Sequence, residues 1–296
     1  MKGIIMGGGH GTRLYPSTRA INKSLIPVYD KPMIYYPVTL LMMAGVKDIM
    51  IFGADKDLIS YRELLGDGSQ FGIQICYRLD EPRLGAAGSL INARDFIGED
   101  MTAVALGDNV FIGRNLANVI LTAANRFKET GGAEIFCHYE KDPRSFGVVE
   151  YDDKGNILSL QSKPQTPISN YAVTGLFFFD NKTIEMAEKT EVCEDGTINL
   201  PELLRHHLQD GRLRSVILDD DIQWFDVGTP QRLLEASEAV KEFQDTHEEY
   251  AGCIEEAAAA RGLIDAEQLR VLAHAMGNTE YGKHISMCAA KHRFHI

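Results

Sequence analysis

The stretch Gly7-Gly8-Gly9-His10-Gly11-Thr12-Arg13-Leu14-Tyr15-Pro16 decides the reading of this chain, because it follows the short apolar run Lys2–Met6. An isoleucine-bearing run that breaks into glycines reads as a strand feeding a phosphate-cradling loop. Glycine reaches positive φ without a Cβ clash and lets backbone N–H groups approach phosphate oxygens closely. The stretch lacks the Gly-Lys-Ser/Thr ending of a Walker loop. Gly7 and Gly9 also fit a dinucleotide fingerprint poorly, since Thr12 and Arg13 stand where its closing glycine and helix belong. A glycine loop alone is compatible with a plain tight turn. Arg13 inside it favours phosphate, because a guanidinium grips phosphate oxygens in pairs.

Outward from the loop, short apolar runs alternate with helical spacing. Lys2–Met6, Asp48–Gly53, Ile73–Tyr77, Thr102–Leu106 and Ala133–Tyr139 read as strands, with helices over Tyr36–Ala44 and Leu116–Thr130. Continuously apolar strands alternating with helices predict an α/β fold with a mixed, mainly parallel central sheet flanked by helices. Such a sheet binds ligands beyond the carboxyl ends of its strands. After about residue 140 the runs Phe146–Tyr151, Ile157–Leu160, Ala172–Asp180 and Leu213–Leu218 crowd together around turn residues, which predicts a β-rich wall of a cleft. From Pro230 onward the signals are helical, over Gln231–Gln244, Ile254–Arg261 and Ala266–Met276. The expected organisation is a core over 1–229, divided near residue 140, and a helical C-terminal element over 230–296.

A formal net charge of -12 argues against non-specific binding to nucleic acid or anionic membranes. The five cysteines are scattered and form no CxxC pair, which fits reduced thiols better than a disulfide framework or a zinc site. The N-terminal run is too short for a signal peptide or anchor, so a cytoplasmic location is expected.

Ten residues past Arg13 comes Lys23, followed by Ser24-Leu25-Ile26-Pro27-Val28-Tyr29-Asp30-Lys31-Pro32. The combined pattern GGxGTRL-x-P…K-x-L-x-P-V-x-x-K-P resembles the signature of nucleotidyltransferases that make nucleotide sugars. The likeness runs nearly end to end. It includes Leu64-Leu65-Gly66-Asp67-Gly68-Ser69, Leu106-Gly107-Asp108-Asn109, Phe146-Gly147-Val148-Val149-Glu150 and Trp224-Phe225-Asp226-Val227-Gly228-Thr229. It is nearest to the glucose-1-phosphate thymidylyltransferases of that family.

The resemblance implies a Rossmann-like nucleotidyltransferase fold and a division of labour among the matching residues. Gly8, Gly9, Gly11, Thr12, Arg13 and Lys23 would hold the triphosphate, with Asp80 and Gly85 on the base side. Asp108 and Asp226 would hold Mg2+ at the α-phosphate. Gly107, Phe146, Gly147, Ser162, Lys163 and Val173 would line the sugar-phosphate side, with Lys163 touching the attacking phosphate. Arg13, Lys23 and Lys163 are thereby the expected catalytic cations. The helical tail implies a tetramer and a second, regulatory nucleotide-sugar site.

Independent chemistry agrees with the metal assignment. Asp108 ends an apolar strand at a sheet edge, and Mg2+ takes one or two carboxylates plus phosphate oxygens. The attacking sugar phosphate is already anionic, so alignment and charge neutralisation suffice for a direct in-line displacement.

Specificity residues depart from the pattern. Asp80 stands where a glutamine usually meets the thymine imide, Ser162 where a glutamate precedes the lysine, and Asn199-Leu200-Pro201-Glu202 near the sugar pocket. A carboxylate only accepts hydrogen bonds, so Asp80 or Glu81 would suit guanine's adjacent donors. A guanylyl- or uridylyltransferase is therefore the alternative within the class. A non-catalytic nucleotide-sugar sensor is the rival outside it, with a dinucleotide-dependent oxidoreductase behind. Elsewhere, His206-His207 and the tail histidines read as solvated helix faces. Trp224 reads as core packing, and Asp219-Asp220-Asp221 as a charged turn.

Overall fold

The computed structural model describes residues 1–9, 11–80, 84–247 and 249–292; Glu81 lies outside them. The chain runs β1 (Lys2–Met6), β2 (Pro27–Val28), β3 (Lys31–Pro32), α1 (Tyr35–Met43), β4 (Asp48–Gly53), α2 (Asp55–Leu65) and β5 (Gln74–Leu79). Then come α3 (Gly85–Asn92), α4 (Arg94–Ile97), β6 (Thr102–Leu106), β7 (Asn109–Ile112), α5 (Leu116–Thr130) and β8 (Ala133–Tyr139). The second half holds β9 (Gly147–Tyr151), β10 (Ile157–Ser162), β11 (Tyr171–Phe179), α6 (Lys182–Lys189), α7 (Leu200–Gln209), β12 (Leu213–Ile217) and β13 (Gln223–Asp226). Helices α8 (Pro230–His247), α9 (Ile254–Ala260), α10 (Ala266–Ala275) and α11 (Glu280–His292) follow.

The expected mixed sheet is present. Strands β6, β1, β4 and β5 lie side by side and parallel, joined by crossovers through the helices. Ile4 and Ile5 of β1 point to opposite faces and both are fully buried, so layers cover the sheet on each side. Met6 is in register with Phe52 of β4 and with Leu106 of β6. Three strands thus end at one edge, and the residues just beyond them, including Gly7 and Gly107, share one crevice.

The other half of the sheet is antiparallel and branched. Leu176–Phe179 of β11 pairs with β6, while Tyr171 and Ala172 pair with β9 and the strand also runs along β8. Its register on β8 shifts between Val173 and Phe177, and there the sheet splits into the wall expected after residue 140.

Four small strands escaped the sequence reading, β2 and β3 of two residues each and the pair β7 and β13. β7 and β13 form an antiparallel pair with Asp226 opposite Asn109. Three apolar residues, Val110–Ile112, are too few to stand out by periodicity. The strand expected at Ile73 begins one residue later and runs to Leu79, and α11 lies within the expected helical tail beyond its last bounded segment.

The helical tail closes against the core. Ile254, Ala258, Leu269 and Ile285 share one buried cluster with Leu41 of α1 and Leu65 of α2. The β2–β3 turn is tied to α8, where Ser237 Oγ accepts from Tyr29 N at 3.2 Å and Gln244 Oε1 accepts from Lys31 Nζ at 2.9 Å. No helix among the described residues is long and apolar enough to cross a membrane.

Two histidine expectations are corrected. His207 is fully buried on α7 with its Nε2 3.0 Å from Thr183 Oγ1. His284 is 3% exposed beneath the Tyr250 ring. Both lie on amphipathic helices whose inward stripes accommodate an imidazole, so polarity alone misplaced them.

Candidate active site

The glycine loop leaves β1 under tight steric control. A Cβ on Gly7 would lie 2.7 Å from Tyr61 Oη, and one on Gly8 would lie 2.5 Å from Asp80 Oδ2. Gly11 adopts φ 58° and opens a short 3-10 turn, Thr12–Leu14, that carries Arg13. Gly9 faces open space, with no atom within 4 Å of where a Cβ would stand.

Asn22 braces this loop from below, a role the sequence reading missed. Its side chain donates to Gly7 O at 2.9 Å and to Asp57 at 2.8 Å, and accepts from Tyr61 Oη and from Ser24 N. It also caps the 3-10 turn Lys23–Leu25. Lys23, only 6% exposed, is thereby aimed at Asp108, whose Oδ2 it meets at 2.5 Å.

Asp108 and Asp226 arrive from different strands. Val227 N donates to Asp108 O at 2.9 Å, which keeps the end of β13 beside the β6–β7 junction. Burial and the neighbouring Asp108 charge raise the Asp226 pKa, while Lys23, Arg13 and Arg232 partly counter them. A buried carboxylate whose ionisation a second carboxylate opposes, with only oxygen donors at the crevice, suits a hard divalent cation.

Asn109 holds the arrangement. Its Nδ2 donates to Asp108 Oδ1 at 2.9 Å, and its Oδ1 accepts from Trp224 Nε1 at 2.6 Å and from Gly175 N at 3.0 Å. Trp224 is accordingly a buried packing residue, with its ring 4.9 Å from that of Phe146. Asp219-Asp220-Asp221 is the turn between β12 and β13, closed by Ile222 N donating to Asp219 O at 2.9 Å.

Arg13, Phe146 and Asp226 line a single cleft of about 840 Å³ together with Trp224, Gly228 and Arg232. Arg13 packs directly on Gly228, where any Cβ would displace its guanidinium. Arg232 pairs with Glu140 at 3.0 Å. Burial opposes ionisation of Glu140, but His138 and Arg232 outweigh it and hold its carboxyl below the usual range.

The remaining sugar-side residues sit on the antiparallel wall. Lys163 follows β10 with φ 44°, an uncommon conformation for a side-chain-bearing residue, and its N–H donates to Phe146 O at 2.9 Å. Ser162 and Lys163 are exposed, and a Cβ on Gly147 would touch Val173 at 3.3 Å. Gly107 is buried against Met6 O and Ser24 Oγ, so it shapes the crevice floor. Asp80 is buried after β5, its carboxylate packed on Gly8. Gly85 opens α3 at φ 74° opposite Thr197. The structure therefore gathers Arg13, Lys23, Asp108 and Asp226 around one crevice, and leaves Lys163 and Gly85 on flanking walls.

Comparison with known proteins shows the family. Residues 2–242 match the model of the nucleotidyl transferase family. A glucose-1-phosphate thymidylyltransferase of Neisseria meningitidis is 42% identical over 285 residues, spanning 96% of this chain and 98% of its own. One from Xanthomonas campestris pv. campestris is 40% identical over 294 residues, 99% of each. A Bacillus anthracis crystal structure bearing the same enzyme name, with sucrose bound, superposes with a TM-score of 0.74 at 32% identity, covering 81% of this chain and 94% of that one. The chain belongs to the nucleotidyl transferase family, among its glucose-1-phosphate thymidylyltransferases.

Proposed function

We propose that this chain transfers the thymidylyl group of dTTP to α-D-glucose 1-phosphate, giving dTDP-glucose and pyrophosphate. The observation that carries the reading is the Asp108–Asp226 pair set beside Lys23 and the Gly7–Pro16 loop. Relatives of that name, alike over almost their whole length, support the choice of base and sugar.

The reaction divides among the chain's own groups. The backbone of Gly8, Gly9, Gly11 and Thr12 cradles the triphosphate, and Arg13 takes up charge on the departing pyrophosphate. Lys23 neutralises Asp108 before substrate enters and offers its ammonium to the phosphates once they arrive. Lys163, on the facing wall, draws in the sugar phosphate, whose anionic oxygen attacks the α-phosphorus in line; the α–β bridging P–O bond breaks and its electron pair leaves with pyrophosphate. Phe146, Gly147, Ser162 and Val173 shape the sugar side, with Gly107 at the floor between. Asp80 and Gly85 border the base. No covalent enzyme species is needed, because the nucleophile arrives ionised.

Asp108 and Asp226 fit Mg2+, which when bound supplies charge stabilisation at the reacting phosphate. Burial and the Asp108 charge, which raise the Asp226 pKa, are the costs a divalent cation relieves.

The reading assigns residues 1–229 to the transferase core and 230–296 to an assembly and regulatory element. A cavity of about 460 Å³ between α1, α5 and the α8–α9 segment, lined by Arg114, Tyr250 and Arg261 among others, supports a second, regulatory nucleotide-sugar site, with a homotetramer as the working assembly. Soluble phosphorylated substrates and uncrosslinked cysteines suit a cytoplasmic setting.

Pyrophosphate release with Mg2+, measured for dTTP, UTP, GTP, CTP and ATP against several sugar 1-phosphates, tests the proposal. Preference for dTTP with glucose 1-phosphate is expected. A different preferred pair would reassign the substrates, and silence across the grid would favour a nucleotide-sugar sensor.

A further inference from the structure

The tail brings together two pairs of groups, separated by 28 positions between Glu256 and His284, outside the active-site crevice. Cys253 precedes α9 and Glu256 sits one turn into it; His284 and Cys288 stand four apart on one face of α11. Ligand atoms of Cys253, Glu256 and His284 all lie within 4.8 Å of one another. His284 Nε2 is 2.9 Å from Glu256 Oε2, and Cys288 Sγ is 3.4 Å from the same nitrogen.

We propose that Cys253, Glu256 and His284, with Cys288 as fourth donor, bind one thiophilic divalent cation of the zinc class and so clip α11 onto α9. Tetrahedral zinc with ordinary bond lengths separates neighbouring ligand atoms by about 3.3–3.8 Å. Within the Cys253–Glu256–His284 trio the spacings run from 2.9 Å to at most 4.8 Å and bracket that range, and a side-chain rotation would bring in Cys288. Two thiols, an imidazole and a carboxylate select zinc-like ions over Mg2+, which prefers oxygen alone.

The surroundings are those of a prepared site. Cys253 is 2% and His284 3% exposed. The Tyr250 ring stacks on the imidazole at 3.7 Å between centroids and 10° between planes, fixing its orientation. Tyr281 Oη lies 3.4 Å from Cys253 Sγ and donates to Glu255 Oε2 at 2.6 Å. Glu255 is fully buried, and its Oε1 has no hydrogen-bond partner among the described residues. Neighbours that orient ligands mark metal centres. A plain Glu–His pair accounts for Glu256 and His284, but not for the Cys253 thiol lying within 4.8 Å of both.

Cobalt(II) titration of the chelator-stripped full chain, in excess Mg2+ to saturate the aspartate pair, tests the site. The expected result is sulfur-to-cobalt charge-transfer absorbance with tetrahedral ligand-field bands, saturating at one equivalent per chain and abolished by zinc. Bound thiols release their protons to the buffer. Cys253→Ser and Cys288→Ser should each weaken the charge-transfer band, and His284→Asn should lower affinity about 100-fold or more. Asp108→Asn should leave the spectrum unchanged. Zinc should raise the melting temperature of the unmodified chain but not of the His284 variant. Absence of charge transfer in the unmodified chain overturns the proposal, as does an unchanged band in Cys253→Ser. Should Cys253→Ser not fold, Glu256→Gln takes its place, and undiminished affinity there overturns the proposal equally.

Discussion

Trp224 Nε1 donates to Asn109 Oδ1 at 2.6 Å, joining β13 to β7 inside the core. Asn109 in turn donates to Asp108, so an indole buried behind the crevice sets where the proposed metal-binding carboxylate points. The consequence is a positioning role for a residue that touches no phosphate.

Asn109→Ala should therefore strand two buried donors, Trp224 Nε1 and Gly175 N. The expected cost is about 1–3 kcal/mol of stability, with kcat falling roughly tenfold through a misdirected Asp108. Chemical denaturation and steady-state kinetics measure the two effects. Unchanged kcat with lowered stability would reduce Asn109 to a packing role.

Asp108→Asn should cut kcat by roughly 100- to 1000-fold while the fold persists, because charge stabilisation at the transition state is lost. Asp226→Asn should behave similarly, and removing either carboxylate should weaken the Mg2+ dependence of pyrophosphate release. Near-normal turnover in either variant would move the metal elsewhere.

His207 supplies a pH prediction. Burial lowers its pKa, with Arg212 adding to the effect and Asp180 opposing it. A histidine depressed in the folded state contributes stability that is present above its unfolded pKa and is lost as pH falls toward the folded one. Stability should thus decline below about pH 6.5, the ordinary histidine value. His207→Gln should flatten that decline in thermal melts between pH 7.5 and pH 5, taken here as roughly the histidine titration window. An equally steep decline in the variant would place the acid sensitivity on other groups.

Asp80→Gln bears on the base. An amide can both donate to and accept from the thymine imide, whereas a carboxylate only accepts. The variant should raise the dTTP and UTP specificity constants relative to GTP by roughly tenfold, the worth of one good hydrogen bond. Competition assays with paired nucleotides read the ratio directly. No change would leave Asp80 as support for Gly8, on which its carboxylate packs.

Much of this was legible in the chain itself. The glycine loop, Arg13, Lys23 and the strand ending before Asp108 announce themselves locally, since steric freedom at glycine and runs of isoleucine are short-range signals. Asp48–Gly53, Ala133–Tyr139 and Leu116–Thr130 appear with the bounds expected from periodicity alone. β7 and β13 stayed hidden because each is stable only against the other. Asn22 was passed over because nothing in its neighbours reveals that its amide would meet Gly7 and Asp57.

The sequence by itself determined the type of chemistry: which side chains can hold phosphate, and which strands can stand parallel behind them. Tertiary structure decided their convergence. Asp226 lies 118 positions after Asp108 (226 minus 108), and the β7–β13 pairing with the Val227–Asp108 backbone bond brings the two together. His207 and His284 read as solvent-facing until packing enclosed them. Residue type sets what a group can do, but burial and approach depend on contacts between distant segments, which no local pattern encodes.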